Sequence, residues 1–101
     1  MARFDLFRLP ANQGYVVHVQ SDLVSEKVTT RVVVPLVPVT DIGKPIADLN
    51  PVVRIDDCEY AFVAQSVATL TSREIGERAG SLLADHGDRF AYALDILLTG
   101  F

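Results

Sequence analysis

A chain of 101 residues with a formal charge of -4, half of it hydrophobic, has the size of one domain around a single core. Such a chain is expected to bury roughly 60–70% of its unfolded surface without staples. One cysteine excludes an internal disulfide and points to a reducing, cytoplasmic setting. The acidic balance and the scatter of nine Lys and Arg speak against a protein that grips nucleic acid through its phosphates, which takes a basic face.

In chain order, "MARFDLFRLP" places charges inside its apolar pattern, unlike a signal peptide. "RFDLFRL" reads as a half-buried strand, with Phe4, Leu6 and Leu9 on one side, Asp5 and Arg8 interrupting the other, and Pro10 as its end. "PANQG" supplies turn residues. "YVVHVQ" alternates Tyr15, Val17 and Val19 against Val16, His18 and Gln20. "RVVVPLV" is apolar on both faces and should lie centrally, with Pro35 at a bulge or where its missing N–H faces no partner. The longer run "VVVPLVPV" is far short of the ~20 residues of a membrane helix, so no membrane association is expected.

"TDIGKPIADLNP" has the composition of a loop. "VVRID" and "EYAFVAQ" form a hairpin turning at Asp56, Asp57 and Cys58. "TSREIGERAG" is expected to begin as a short helical turn capped by Thr71 or Ser72, with Glu74 near the third position. The final helix is the clearest element: Asp85 as its N-cap, Asp88 three residues on, and Phe90, Leu94 and Leu97 on one stripe. Strands followed by a helix predict a single α+β domain over 1–101, an antiparallel sheet curled into a small barrel with one helix closing an end or edge.

Chemistry-bearing motifs are sparse. His18 is expected to face outward on an edge strand or near an interface, and His86 to sit in a solvated first helical turn; neither is expected to be catalytic. Cys58 lies beside Asp56, Asp57 and Glu59, the reverse of the electropositive setting a thiolate nucleophile needs. "DDCE" lacks the alternating ligands of a calcium loop. No phosphate-cradling glycine loop, zinc motif or paired cysteines occur, so neither a metal nor a cofactor is expected.

Three stretches, "HVQSDLV", "TRVVVPLVP" and "NPVVRIDD", followed by "REIGE" and a helix ending in "TGF", together resemble the CcdB family of toxins from bacterial toxin–antitoxin modules. The resemblance spans essentially the whole chain. It implies an SH3-like β-barrel or β-roll with a C-terminal helix, as in the related Kid and MazF toxins, assembled as a two-fold homodimer. It implies no enzymatic activity. Such a toxin poisons DNA gyrase by wedging into the gyrase A subunit and trapping the gyrase–DNA cleavage complex. A CcdA-like antitoxin neutralises it, and the pair co-represses the operon, touching operator DNA through the antitoxin.

The gyrase-binding set implied by the resemblance is Thr99, Gly100 and Phe101, with Leu98 and Asp95 in the preceding turn and Ser21, Leu23 and Val24 alongside. Gly100 suits a helix end that takes φ > 0 and admits a close neighbour. Phe101 supplies an aromatic anchor, or continues the Phe90–Leu94–Leu97 stripe into the core. Leu23 and Val24 form a small apolar patch, or close the barrel or line the dimer seam. One departure stands out: the family's best-known pattern ends Trp-Gly-Ile, and Thr99 occupies the Trp position. Thr can neither stack on an arginine nor bury a large area, and losing such an anchor costs about a hundredfold in affinity or more.

Two alternatives follow. A Kid- or MazF-type endoribonuclease needs an acid–base set that Arg31, Arg54, His18 and Asp56 would have to assemble in three dimensions. A non-toxic homologue would keep only antitoxin binding and co-repression, and Thr99 is the feature that favours it.

Overall fold

The computed structural model describes residues 1–100. Seven strands and three helices follow one another: β1 (Asp5–Arg8), β2 (Tyr15–His18), the single turn α1 (Asp22–Ser25), β3 (Thr30–Pro38), the single turn α2 (Val39–Ile42), β4 (Val52–Ile55), β5 (Cys58–Phe62), β6 (Ala68–Thr71), β7 (Arg78–Ser81) and α3 (Leu83–Thr99). All strand pairs are antiparallel, in the order β4-β5-β3-β2-β1-β7, with β6 also on β3. This is an α+β fold: a curled antiparallel sheet, a half-barrel, with a C-terminal helix against it.

The nine-residue β3 organises the sheet. On one edge it carries β2; on the other its first half pairs with β6 (Thr30↔Thr71 to Val33↔Ala68) and its second half with β5 (Leu36↔Phe62 to Pro38↔Tyr60). Pro35 falls in the gap between these two partners, where the edge carries no ladder pair and only the Pro35 carbonyl is used, accepting the Val63 N–H at 3.1 Å. A residue without an N–H fits there at no cost.

Strand alternation feeds two cores. Leu6, Val17, Val34, Val53 and Phe62 lie under α3 with its Phe90, Ala93 and Leu94. Phe90 stacks on Phe62 (centroids 4.2 Å, planes 9° apart) and meets Phe4 edge-on at 5.6 Å. Phe7, Val16 and Val33 face the other way and are covered by Ile75 from the segment between β6 and β7. That segment approaches β1 so closely that a Cβ on Gly76 would run into the Arg8 carbonyl oxygen. Asp5, 4% exposed, is held by Arg78 of β7 at 3.1 Å.

The hairpin turns where expected. Ile55 pairs with Cys58, and Asp56 and Asp57 both take positive φ (50° and 65°), the backbone of a type I′ connection. Other expectations need correcting. "RFDLFRL" is buried on both faces, because its second face meets the Ile75 core. Thr71 and Glu74 do bond reciprocally, the Thr71 N–H donating to the Glu74 carboxylate at 2.8 Å and the Glu74 N–H to the Thr71 carbonyl at 3.0 Å. They close a turn rather than start a helix, and the chain then enters β7. α3 begins two residues before Asp85, which lies inside its first turn; the Ser81 hydroxyl accepts the Leu83 N–H at 3.3 Å.

Candidate functional site

The helix stripe turns Phe90 and Leu94 into the core and leaves Leu98, one residue past Leu97, 76% exposed. At the end of α3, Thr99 turns its hydroxyl back to the Asp95 carbonyl, donating at 2.6 Å. Gly100 takes the left-handed conformation (φ 82°, ψ 13°) and its N–H donates to the Ile96 carbonyl at 3.0 Å, an αL cap. A Cβ at Gly100 would meet no atom of the chain within 4 Å, so the demand for glycine within the chain is conformational, not steric. Phe101, and with it the choice between anchor and core packing, lies outside the described residues.

The second part is α1. Ser21 caps it, its Oγ accepting the Leu23 N–H at 3.3 Å, and its carbonyl accepts from Val24 and Ser25. A four-residue helix has little stability of its own, so α1 depends on what docks it. Asp22 accepts the Arg3 N–H at 3.0 Å, and the Arg3 guanidinium reaches the Val19 carbonyl at 3.2 Å. Leu23 and Val24 project outward, 76% and 45% exposed.

A groove of about 390 Å³ lies between the end of α3 and the residues that lead into α1. Its sheet side is Val19, Gln20 and Val32; its helix side is Leu94, Asp95, Leu97 and Leu98; Arg3 and Val67 complete it. Asp95 and Leu98 therefore share a groove with the residues that lead directly into Ser21. Arg3 and Val67 carry no motif, and Val67 follows a 3₁₀ turn after β5.

His18 overturns the outward-facing expectation. β2 is an inner strand between β1 and β3, and His18 is 0% exposed. Its Nδ1 is 3.0 Å from the Ala2 carbonyl and its Nε2 is 3.4 Å from the Ser25 Oγ. Burial foremost, then the nearby Arg31 and amino terminus, push its pKa below the ordinary histidine range, outweighing the Ala2 hydrogen bond and Asp22. His86, half-buried in the first turn of α3, accepts at Nδ1 from Arg89 (2.9 Å); burial and Arg89 lower its pKa.

The set Arg31, Arg54, His18 and Asp56 does not gather. His18 and Arg31 sit toward the start of β3, opposite Val33 and Leu70. Arg54 and Asp56 belong to the β4–β5 hairpin, which meets β3 only at its far end. Cys58 is exposed, the first residue of β5. Among the described residues no cluster of His, Cys, Asp and Glu is placed to hold a metal ion, and no helix is long and apolar enough to cross a membrane.

The curled sheet and its C-terminal helix are an architecture seen in other solved structures. An endoribonuclease from a mycobacterial species, solved in complex with its cognate antitoxin, superposes with a TM-score of 0.77 at 18% identity over 97% of this chain and 94% of that one. The Mycobacterium tuberculosis toxin MazF-mt6 superposes at 0.70 with 14% identity, over 90% and 92%. No curated protein matches the chain. The model of the CcdB protein family matches residues 3–100. The chain belongs to the CcdB family and is a toxin of the toxin–antitoxin type.

Proposed function

We propose that this toxin acts by binding the gyrase A subunit and trapping the gyrase–DNA cleavage complex, and that a CcdA-like antitoxin neutralises it. The observation that carries this reading is the end of α3, where exposed Leu98 lines a groove and the αL-capped Gly100 follows it; Leu23 and Val24 of α1, also outward-facing, come a few residues after Val19 and Gln20 on the opposite wall. A solvent-facing apolar side chain next to a backbone that lacks a Cβ suits a flat protein partner better than a small substrate. Phe101 follows directly as the candidate anchor, and Thr99, its hydroxyl turned back to the helix, offers its methyl group where the family's Trp would stack. Ser21 holds the α1 side of the face in place, and Asp95 adds a carboxylate at its rim.

A homodimer is part of the same reading, as is co-repression with the antitoxin, operator DNA being contacted through that partner. A second reading, RNA cleavage, is favoured by the fold likeness to endoribonucleases and by Arg31 lying close enough to act on His18. The complete burial of His18 weighs against it, since a general acid or base must reach the proton it moves.

Calorimetric titration of the protein into gyrase A separates the readings. Leu98→Asp, a change at an exposed site that leaves the fold within about 0.5 kcal/mol, is expected to weaken binding at least tenfold. Unchanged affinity removes α3 from the contact. RNA cleavage without gyrase binding replaces the proposal with the nuclease.

A further inference from the structure

The polar groups under α1 form a directed chain. The Ala2 carbonyl can only accept, so the His18 Nδ1 that lies 3.0 Å from it carries the hydrogen. Nε2 is then the acceptor, and the one hydrogen of the Ser25 hydroxyl goes to it across 3.4 Å. The Ser25 Oγ in turn accepts from Gln20 Nε2 at 3.0 Å, and Gln20 also donates to the Thr30 carbonyl (3.1 Å) and accepts the Val32 N–H (3.2 Å). Ser25 is the last residue of α1, and His18 is the only side chain in this chain of bonds whose charge changes near neutral pH.

We propose that His18 is a positioning residue for the Leu23–Val24 face, docking α1 through Ser25 while its ring is neutral and releasing α1 when Nε2 takes up a proton. The proposal rests on the reading of that face as part of the gyrase contact, but the docking itself does not require gyrase. A proton on Nε2 turns the acceptor into a donor, so the Ser25 hydroxyl hydrogen loses its partner. It also puts a cation in a site with no exposed surface. The charges around that cation mostly oppose it. Arg31 on β3 and the amino terminus disfavour the proton, while Asp22 on α1 favours it but is bonded to the Arg3 N–H. Asp5 of β1 is taken by Arg78 and the Ala2 N–H, and β6 carries no charged residue. Freeing Ser25 is the local way to let water reach the ring, because α1 is a single turn whereas β2 is locked between β1 and β3.

The sign follows from the neutral ring being the docked form. A histidine held below its ordinary range stabilises the docked state in full above about pH 6.5, and that stabilisation is lost as pH falls through the docked-state pKa.

The test is amide hydrogen exchange and ring titration by NMR on the full chain between about pH 7.5 and pH 4.5. Protection of the Ser25, Lys27 and Val28 amides, which bond within the α1 turn, is expected to fall with decreasing pH. The limit for one linked proton is about tenfold per pH unit. The midpoint should equal that of the His18 ring, while amides of α3 stay protected. In His18→Gln the α1 amides should lose this pH dependence. In Ser25→Ala the ring should still titrate, with α1 no longer following it; this variant decides the matter if His18→Gln does not fold. A His18 titration without a change in α1, or an unchanged pH dependence of α1 in either variant, overturns the proposal. Gyrase affinity measured at pH 7.5, where the ring is neutral, tests the gyrase reading separately.

Discussion

Gly100 holds a conformation that costs an ordinary L-residue about 1–2 kcal/mol, and it does so at the point where α3 hands over to Phe101. Gly100→Ala should therefore fray the last turn of α3, seen as faster exchange at the N–H that bonds the Ile96 carbonyl, with the global unfolding midpoint unchanged. Asp5 is a second residue with a definite consequence. Burial would raise its pKa, but the Arg78 guanidinium and the Ala2 N–H together hold it below the usual carboxylate range. Its contribution is thus fully present above about pH 4 and is lost as pH falls through the depressed folded value. Asp5→Asn should cost about 2 kcal/mol at neutral pH, the worth of a charged hydrogen bond with a half-exposed partner. It should also flatten the acid limb of the stability profile, read by urea denaturation from about pH 7 to pH 3. The Asp5 pairing was not legible in the chain, because Arg78 lies 73 residues away and nothing local marks either as a partner. The burial of His18 was equally hidden: alternation gives two faces of a strand, but only the curl of the sheet decides that both are covered.

At the scale of elements, what repeats locally was readable and what depends on distant pairing was not. The Phe90–Leu94–Leu97 stripe specifies its own period, and the Asp56–Asp57 turn sits between two apolar runs in the spacing of a hairpin. β6 and β7, by contrast, are short strands of "ATLT" and "RAGS" with mostly exposed residues. They are strands because β3 and β1 offer them free edges. The helix start was misplaced for a related reason: Ser81 supplies the first hydrogen bond as part of β7, a strand that was not foreseen. α3 is the element on which the fold closes, and Phe90→Ala, which removes a ring stacked on Phe62 with 0% exposure, should destabilise the protein by about 3–5 kcal/mol in chemical denaturation.

In the whole molecule, the half-barrel leaves Leu23, Val24, Val28, Val67 and Leu98 each at least 40% exposed, more apolar surface than a small solitary domain needs. Sedimentation velocity is expected to find a dimer at micromolar concentration, and a monomer there would remove the two-fold assembly from this account. The resemblance to the CcdB family was legible in the sequence because its fragments keep their order and spacing over the whole chain; the groove was not, because its walls come from the residues after β2, from β3 and from α3 and meet only in three dimensions. Action of the end of α3 on gyrase, as proposed, is measured most directly by a cleavage assay with purified protein, gyrase, supercoiled DNA and ATP, scored for linear DNA after denaturation. Linear DNA is expected to accumulate with the full chain and not with one lacking Thr99, Gly100 and Phe101. No linear DNA with a folded full-length protein, or equal amounts with both chains, would contradict the proposal.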